Sequence, residues 1–241
     1  MKKVFKLMLM SLLSVVISVS VFAKNKVVYV GTNAEFAPFE YLEKNKVVGF
    51  DVDLLDAISK ETGLEFKVQD MAFDGLLPAL QTKKVDMVIA GMSATPERKK
   101  AVAFSKPYFK AKQVVITKGV DKSLKSFKDL AGKKVGVMLG FTGDTVVSEI
   151  KGVKVERFNA SYAAIMALSQ NKVDAVVLDS EPAKKYTANN KQFVIASIPA
   201  EEDYAIAVRK NDKELLDKIN AALDKIKANG EYDKLLKKYF K

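Results

Sequence analysis

The chain has 241 residues, a formal net charge of +11 carried by scattered lysines, and neither histidine nor cysteine. Those two absences exclude Ser-His-Asp triads, cysteine nucleophiles, disulfides and the usual zinc ligand sets. The basic charge forms no dense run and no arginine-rich stripe, which argues for solvated helix faces and against a nucleic-acid partner.

Lys2 and Lys3 precede an apolar run from Val4 to Val21, broken by Lys6, and Ser20-Val21-Phe22-Ala23 offers the small residues that a signal peptidase reads. Residues 1–23 are expected to be a signal peptide cleaved after Ala23, not a membrane anchor. With no cysteine to acylate, the expected address is a Gram-negative periplasm without a lipid anchor. Val27 to Thr32 then predicts a strand, and Asp51 to Thr62 a helix with one apolar face and a stop at Gly63. Leu64 to Val68 reads as a strand, Phe73 to Gln81 as a short helix with Pro78 near its first turn, and Val85 to Gly91 as a buried strand. Thr95-Pro96-Glu97-Arg98 opens a helix with an N-cap and a proline at the first helical position. Ser105-Lys106-Pro107-Tyr108 turns toward a strand at Gln113 to Thr117. Lys134 to Met138 is a strand, and Gly140-Phe141-Thr142-Gly143-Asp144 enters a helix. Lys154 to Phe158, Tyr162 to Gln170 and Asp174 to Asp179 follow as strand, helix and strand. Phe193 to Ile198 and Tyr204 to Val208 bring the chain back. Asp212 to Ala228 and Glu231 to Phe240 are amphipathic helices separated by Asn229-Gly230.

Two stretches 88 residues apart echo each other: Ala79 to Gly91 reads ALQTKKVDMVIAG and Ala167 to Asp179 reads ALSQNKVDAVVLD. Each is a helix end, a Lys-bearing turn, Val-Asp, and an apolar run suited to a buried parallel strand. Two α/β halves imply two lobes, and ligands of open α/β sheets sit beyond the carboxyl ends of the strands. The expected architecture has one lobe of 24–110 plus 206–241 and a second of 111–205. Two hinge crossings, near Tyr108 to Lys112 and Asp203 to Val208, join them around a cleft.

Arginine occurs only as Arg98, Arg157 and Arg209. Arg98, a planar fork beside the free amides of a helix start, reads as a carboxylate receptor; the alternative is a surface pair with Glu97. Asp179 ends the matching strand of the other lobe, where it can take an ammonium group or cap the next helix. Phe36 and Phe73 lie in loops after strands, where two rings can sandwich an apolar or cationic side chain or simply join the core. Thr142 and Gly143 offer a hydroxyl and an N–H, or a simple cap. Phe39 and Phe50 read as core.

Five ordered motifs carry a resemblance that spans the mature chain. These are Gly31-Thr32-Asn33 with Ala37-Pro38-Phe39-Glu40, Gly49-Phe50-Asp51-Val52-Asp53-Leu54, Gly91-Met92-Ser93-Ala94-Thr95-Pro96-Glu97-Arg98, Ser105-Lys106-Pro107-Tyr108 and Asp203-Tyr204-Ala205-Ile206-Ala207-Val208. They resemble the polar amino-acid solute-binding proteins of ABC importers. The resemblance implies an α/β, two-lobed type II periplasmic binding protein fold that closes on a free L-amino acid and serves a permease in the inner membrane. It further implies a monomer with no cofactor, metal or catalytic residue. By that likeness Arg98, the Ser93 amide and Thr142 hold the α-carboxylate, and Asp179 and the Gly91 carbonyl hold the α-ammonium. Phe36 and Phe73 flank the side chain, and Met92 completes the strand end. The chain departs from the pattern at Asn33, where many relatives have Asp, and at Phe141, where some have a ligand-contacting Ser or Thr. Glu35, Asp179 and Glu40 are acids near the cleft, whereas Arg98 is its one base. An arginine or lysine ligand is therefore expected first, with Glu35 or Asn33 reaching its distal nitrogen, and glutamine next. The competing expectation is a cyclohexadienyl dehydratase-like enzyme of the same fold, with Glu35 as its acid.

Overall fold

The computed structural model of the chain describes residues 27–121, 123–188 and 190–240; the expected signal peptide lies outside them. The chain begins with β1 (Val27–Thr32), β2 (Glu35–Phe36), β3 (Glu40–Glu43), β4 (Lys46–Val48), α1 (Phe50–Thr62) and β5 (Glu65–Asp70). It continues through α2 (Phe73–Gln81), β6 (Met87–Val88), α3 (Pro96–Ala101) and β7 (Ala103–Phe104). A long strand, β8 (Phe109–Lys118), leads into β9 (Lys134–Met138), α4 (Thr142–Ser148), β10 (Lys154–Phe158), α5 (Ser161–Ser169), β11 (Ala175–Asp179) and α6 (Ser180–Ala188). β12 (Phe193–Tyr204) returns to β13 (Ala207–Val208), α7 (Lys213–Ala228) and α8 (Glu231–Phe240).

These elements form two five-stranded sheets, ordered β5-β1-β6-β13-β7 and β10-β9-β11-β8-β12. Each sheet is the centre of one lobe. β8 and β12 run side by side as an antiparallel pair whose register ends at Phe109 opposite Tyr204, so both crossings leave the second sheet at one place. The helices form where an apolar stripe meets a sheet. α1 buries Leu54, Leu55, Ala57 and Ile58 and stops at Gly63, whose left-handed backbone (φ 68°) returns an N–H to the Ser59 carbonyl at 2.8 Å.

The echoed segments have the same structure in both lobes. β6 and β11 are the central strands of their sheets, each with a parallel neighbour on one side and an antiparallel one on the other. Lys83 and Asn171 both adopt left-handed backbone, with φ of 64° and 55°. The following residues, Lys84 and Lys172, donate N–H groups to the carbonyls of Ala79 and Ala167 at 2.9 and 2.8 Å, a Schellman-type stop. Asp86 then binds Tyr29 twice. Its own N–H reaches the Tyr29 carbonyl at 2.7 Å, and its carboxylate accepts the Tyr29 N–H at 3.0 Å. Asp174 repeats both bonds with Lys134, each at 2.7 Å. The Val-Asp pair thus places a buried valine and a side chain that starts the strand.

Three expectations change. Regular pairing in β6 covers only Met87–Val88, because the Asp86 side chain takes the backbone bond before it and Gly91 turns left-handed (φ 51°) after it. Pro78 sits inside α2, past its first turn, since that helix already starts at Phe73. The returning strand is continuous from Phe193 to Tyr204, absorbing an irregularity between Ala196 and Ala200.

Removing either strand-start carboxylate leaves a solvent-accessible backbone N–H without its protein acceptor, so Asp86→Ala and Asp174→Ala should each destabilise the protein by roughly 0.5–1.5 kcal/mol. Asp86→Ala should cost more, because the Arg209 guanidinium also bonds that carboxylate at 3.0 Å. Urea unfolding at neutral pH measures both; wild-type midpoints would contradict the shared role.

Candidate functional site

Arg98 is set by a short helix start. The Thr95 hydroxyl caps α3 by accepting the Arg98 N–H at 3.2 Å, and Pro96 takes the first helical position. The guanidinium then turns away from Glu97 and spans the cleft. It donates to the Ser93 carbonyl at 2.9 Å and, from the other lobe, to the Gly140 carbonyl at 3.0 Å. Its Cζ lies 5.3 Å from the centre of the Phe73 ring, a cation–π distance. Burial lowers the Arg98 pKa, and the charges of Glu202 and Asp179 oppose that fall. The other arginines have structural work: Arg157 pairs with Asp144 at 2.9 Å, and Arg209 bonds the Val85 carbonyl and Asp86.

Ser93 links the lobes. Its hydroxyl accepts from Thr142 at 3.2 Å and donates to the Glu202 carboxylate. Asp179, at the end of β11, is buried and accepts the Tyr204 hydroxyl. Burial first, and then the neighbouring Glu202 charge, raise the Asp179 pKa; burial likewise raises that of Glu202. Gln113 lies opposite Asp179 in the β8–β11 register, and a side chain at Gly143 would come within 2.9 Å of its Oε1. Gly143 therefore permits the close packing of α4 on this strand pair.

Phe36 and Phe73 both face the cleft, and the space between them is taken by Phe141. Phe141 stacks on Phe73 at 3.7 Å between ring centroids and lies 5.1 Å from Phe36. Gly91 is required by the Phe36 ring, because a Cβ there would lie 2.5 Å from Cε1. Behind Gly91 is a carboxyl pair. The Asp51 carboxylate accepts the Gly91 N–H at 3.0 Å and the Tyr108 hydroxyl at 2.8 Å. Glu40 is fully buried next to it, and burial together with the Asp51 charge pushes the Glu40 pKa well above the usual carboxylate range. Burial pushes Asp51 itself up to about 6.

The remaining expected residues divide. Asn33 is buried at the end of β1, donating to the Met71 carbonyl at 3.0 Å, while its Oδ1 has no hydrogen-bond partner. Met92 does not offer its side chain to the cleft; that side chain is core, and its carbonyl accepts the Ala205 N–H of the crossing at 3.0 Å. Glu35 lies at the lips, lining a cavity of about 180 Å³ with Tyr41, Tyr162 and Tyr186, where the Ser161 hydroxyl donates to the Glu35 carbonyl at 3.0 Å. A larger cavity of about 770 Å³ touches Ser93, Thr142 and Glu202 but does not reach Phe36, Phe73 or Asp179. Glu202, Tyr204 and Gln113 were not among the expected site residues. Strand periodicity offered the signal for one of them: Glu202 and Tyr204 are two apart in β12 and share a face.

Residues 28–241 match the family model for bacterial extracellular solute-binding proteins, family 3. The arginine-binding extracellular protein ArtP of Bacillus subtilis is 42% identical over 222 residues, which cover 89% of this chain and 86% of that protein. A probable histidine-binding protein of Campylobacter jejuni is 38% identical, covering 87% and 83%. Among solved structures, an ancestral arginine-binding protein bound to arginine superimposes with a TM-score of 0.85 at 45% identity, covering 90% of this chain and 99% of that one.

The raised Asp51 pKa fixes the sign of a pH effect. Between the unfolded carboxyl value near 4 and the folded value of about 6, the native state holds more protons. Stability therefore falls as pH rises through that window. Asp51→Asn keeps an acceptor for Gly91 and Tyr108 but removes the titration. The wild type should lose about 2 kcal/mol more than Asp51→Asn between pH 4 and pH 7 by urea unfolding. Parallel pH curves for the two proteins would show that this carboxyl is not linked to folding.

Proposed function

The chain belongs to the bacterial extracellular solute-binding proteins, family 3, and on that premise we propose that it is a periplasmic receptor that takes free L-arginine into its interlobe cleft and presents it to an ABC permease in the inner membrane. In this reading residues 24–110 with 206–241 form one lobe and 111–205 the other. The working form is a monomer released from its signal peptide after Ala23.

The observation that carries the reading is convergence from both lobes: Arg98, Ser93 and Thr142 meet at one end of an aromatic slot, with the buried Asp179 carboxyl beside them. A guanidinium and two hydroxyls suit an α-carboxylate, for which the fork geometry of arginine is better than a lysine ammonium. Asp179 suits the α-ammonium, in place of the Tyr204 hydroxyl. The charge balance favours a cationic side chain, because with Arg98 matched to the α-carboxylate and Asp179 to the α-ammonium, the remaining charged groups named at the cleft, Glu35 and Glu202, are acids. The Phe36 and Phe73 rings support a flat cation between them, and the unpartnered Asn33 Oδ1 is a buried acceptor for a distal N–H. The arginine-binding relatives support the same ligand, with lysine, histidine and glutamine as the competitors to test.

Calorimetry against a panel of free amino acids tests this. Arginine should bind best and glutamate poorly, since burying an unpaired acid is costly. Arg98→Ala should lose at least about 2 kcal/mol of binding while keeping its thermal transition, and Arg98→Lys should recover little of it. Wild-type affinity in Arg98→Ala, or glutamate ranked first, would overturn the proposal.

A further inference from the structure

Phe141 has a specific geometry between the lobes. The residue immediately precedes α4, and its backbone is held at both ends of a turn. Its N–H donates to the Met138 carbonyl at 3.1 Å, and its carbonyl accepts the Asp144 N–H at 3.0 Å. Relative to its own lobe, the ring moves only by rotation of the side chain. That ring comes from the second lobe and enters between two rings of the first, nearly parallel to Phe73 (28°) and tilted against Phe36 (51°). It is 4% exposed. The neighbouring receptor groups are engaged in the same way, with Glu202 on the Ser93 hydroxyl and the Tyr204 hydroxyl on Asp179. The protein's own carboxylate, hydroxyl and ring thus hold the positions suited to an amino acid's carboxylate, ammonium and side chain.

We propose that Phe141 sets the affinity of the cleft by competing with the ligand side chain for the slot between Phe36 and Phe73, so that only side chains able to replace an aromatic ring on Phe73 bind well. The inference rests on the amino-acid-binding reading above. A guanidinium is planar, delocalised and weakly hydrated, so it can take over the face of Phe73 with a cation–π contact in exchange for the displaced stack. A lysine ammonium gives up more hydration to reach the same face, and a carboxamide brings no charge to it. Displacing Phe141 therefore costs every such ligand the same, and the guanidinium, with the strongest contact to the Phe73 face, offsets that cost best.

The sign of the Phe141 effect separates a competitor from an ordinary pocket wall, because removing a wall weakens binding and removing a competitor strengthens it. Wild type, Phe141→Ala and Phe141→Leu, which keeps bulk but not the stack, are titrated calorimetrically with arginine, lysine and glutamine. Both variants should bind arginine more tightly, Phe141→Ala by about tenfold. Lysine and glutamine should gain by a similar factor, because the cost of displacing the ring is common to all three ligands. Unchanged or weaker arginine binding in either folded variant overturns the role of Phe141 and leaves the receptor reading intact. A wild-type protein that binds none of the free amino acids overturns both.

Discussion

Arg98 is a half-buried cation, and the part of its guanidinium taken from water needs acceptors fixed around it. Two backbone carbonyls serve it, Ser93 from its own lobe and Gly140 from the other, so burying the charge and apposing the lobes are a single event. The local sequence prepares this geometry. Thr95 and Pro96 start a helix of only six residues, which places the guanidinium at the strand ends instead of out on a solvated face. Gly91, with its positive φ, brings the backbone close enough to Phe36 for the aromatic slot to form beside the charge.

Carboxyl groups outnumber cations around this centre, and hydroxyls meet the surplus. Tyr108 donates to Asp51, Tyr204 to Asp179, and Ser93 to Glu202. The two tyrosines stand at the two crossings, where the Tyr108 N–H also bonds the Tyr204 carbonyl at 2.9 Å. One crossing is therefore tied to a buried acid of the first lobe and the other to a buried acid of the second. Burial raises the pKa values of these carboxyls, and the hydroxyl hydrogen bonds, which favour the charged form, offset that rise only in part.

The internal repeat shows how far sequence similarity follows physical need. What recurs between the lobes is the left-handed helix stop, the buried valine and the aspartate that binds a neighbouring strand twice. Each is a local device that ends a helix and starts a central strand. The strand ends diverge, Gly91-Met92-Ser93 in one lobe and Asp179-Ser180 in the other, where none of these local devices is needed.

The sequence by itself determined the two α/β lobes, the central strands and the crossings, since periodicity, caps and residue chemistry act over a few neighbouring positions, and it singled out Arg98 and Asp179 as candidates at the strand ends. It also made Phe36 and Phe73 candidates for the cleft. Only the tertiary structure decided what lies opposite them. The depth of Met92 in the core, the approach of Glu202 to Ser93, and the position of Phe141 between two rings of the other lobe depend on how distant segments meet. So do the Glu40–Asp51 pair and the Gln113–Asp179 register. A local pattern can specify which face of an element is apolar or polar, but what that face meets is set by packing between lobes, which no short stretch of sequence encodes.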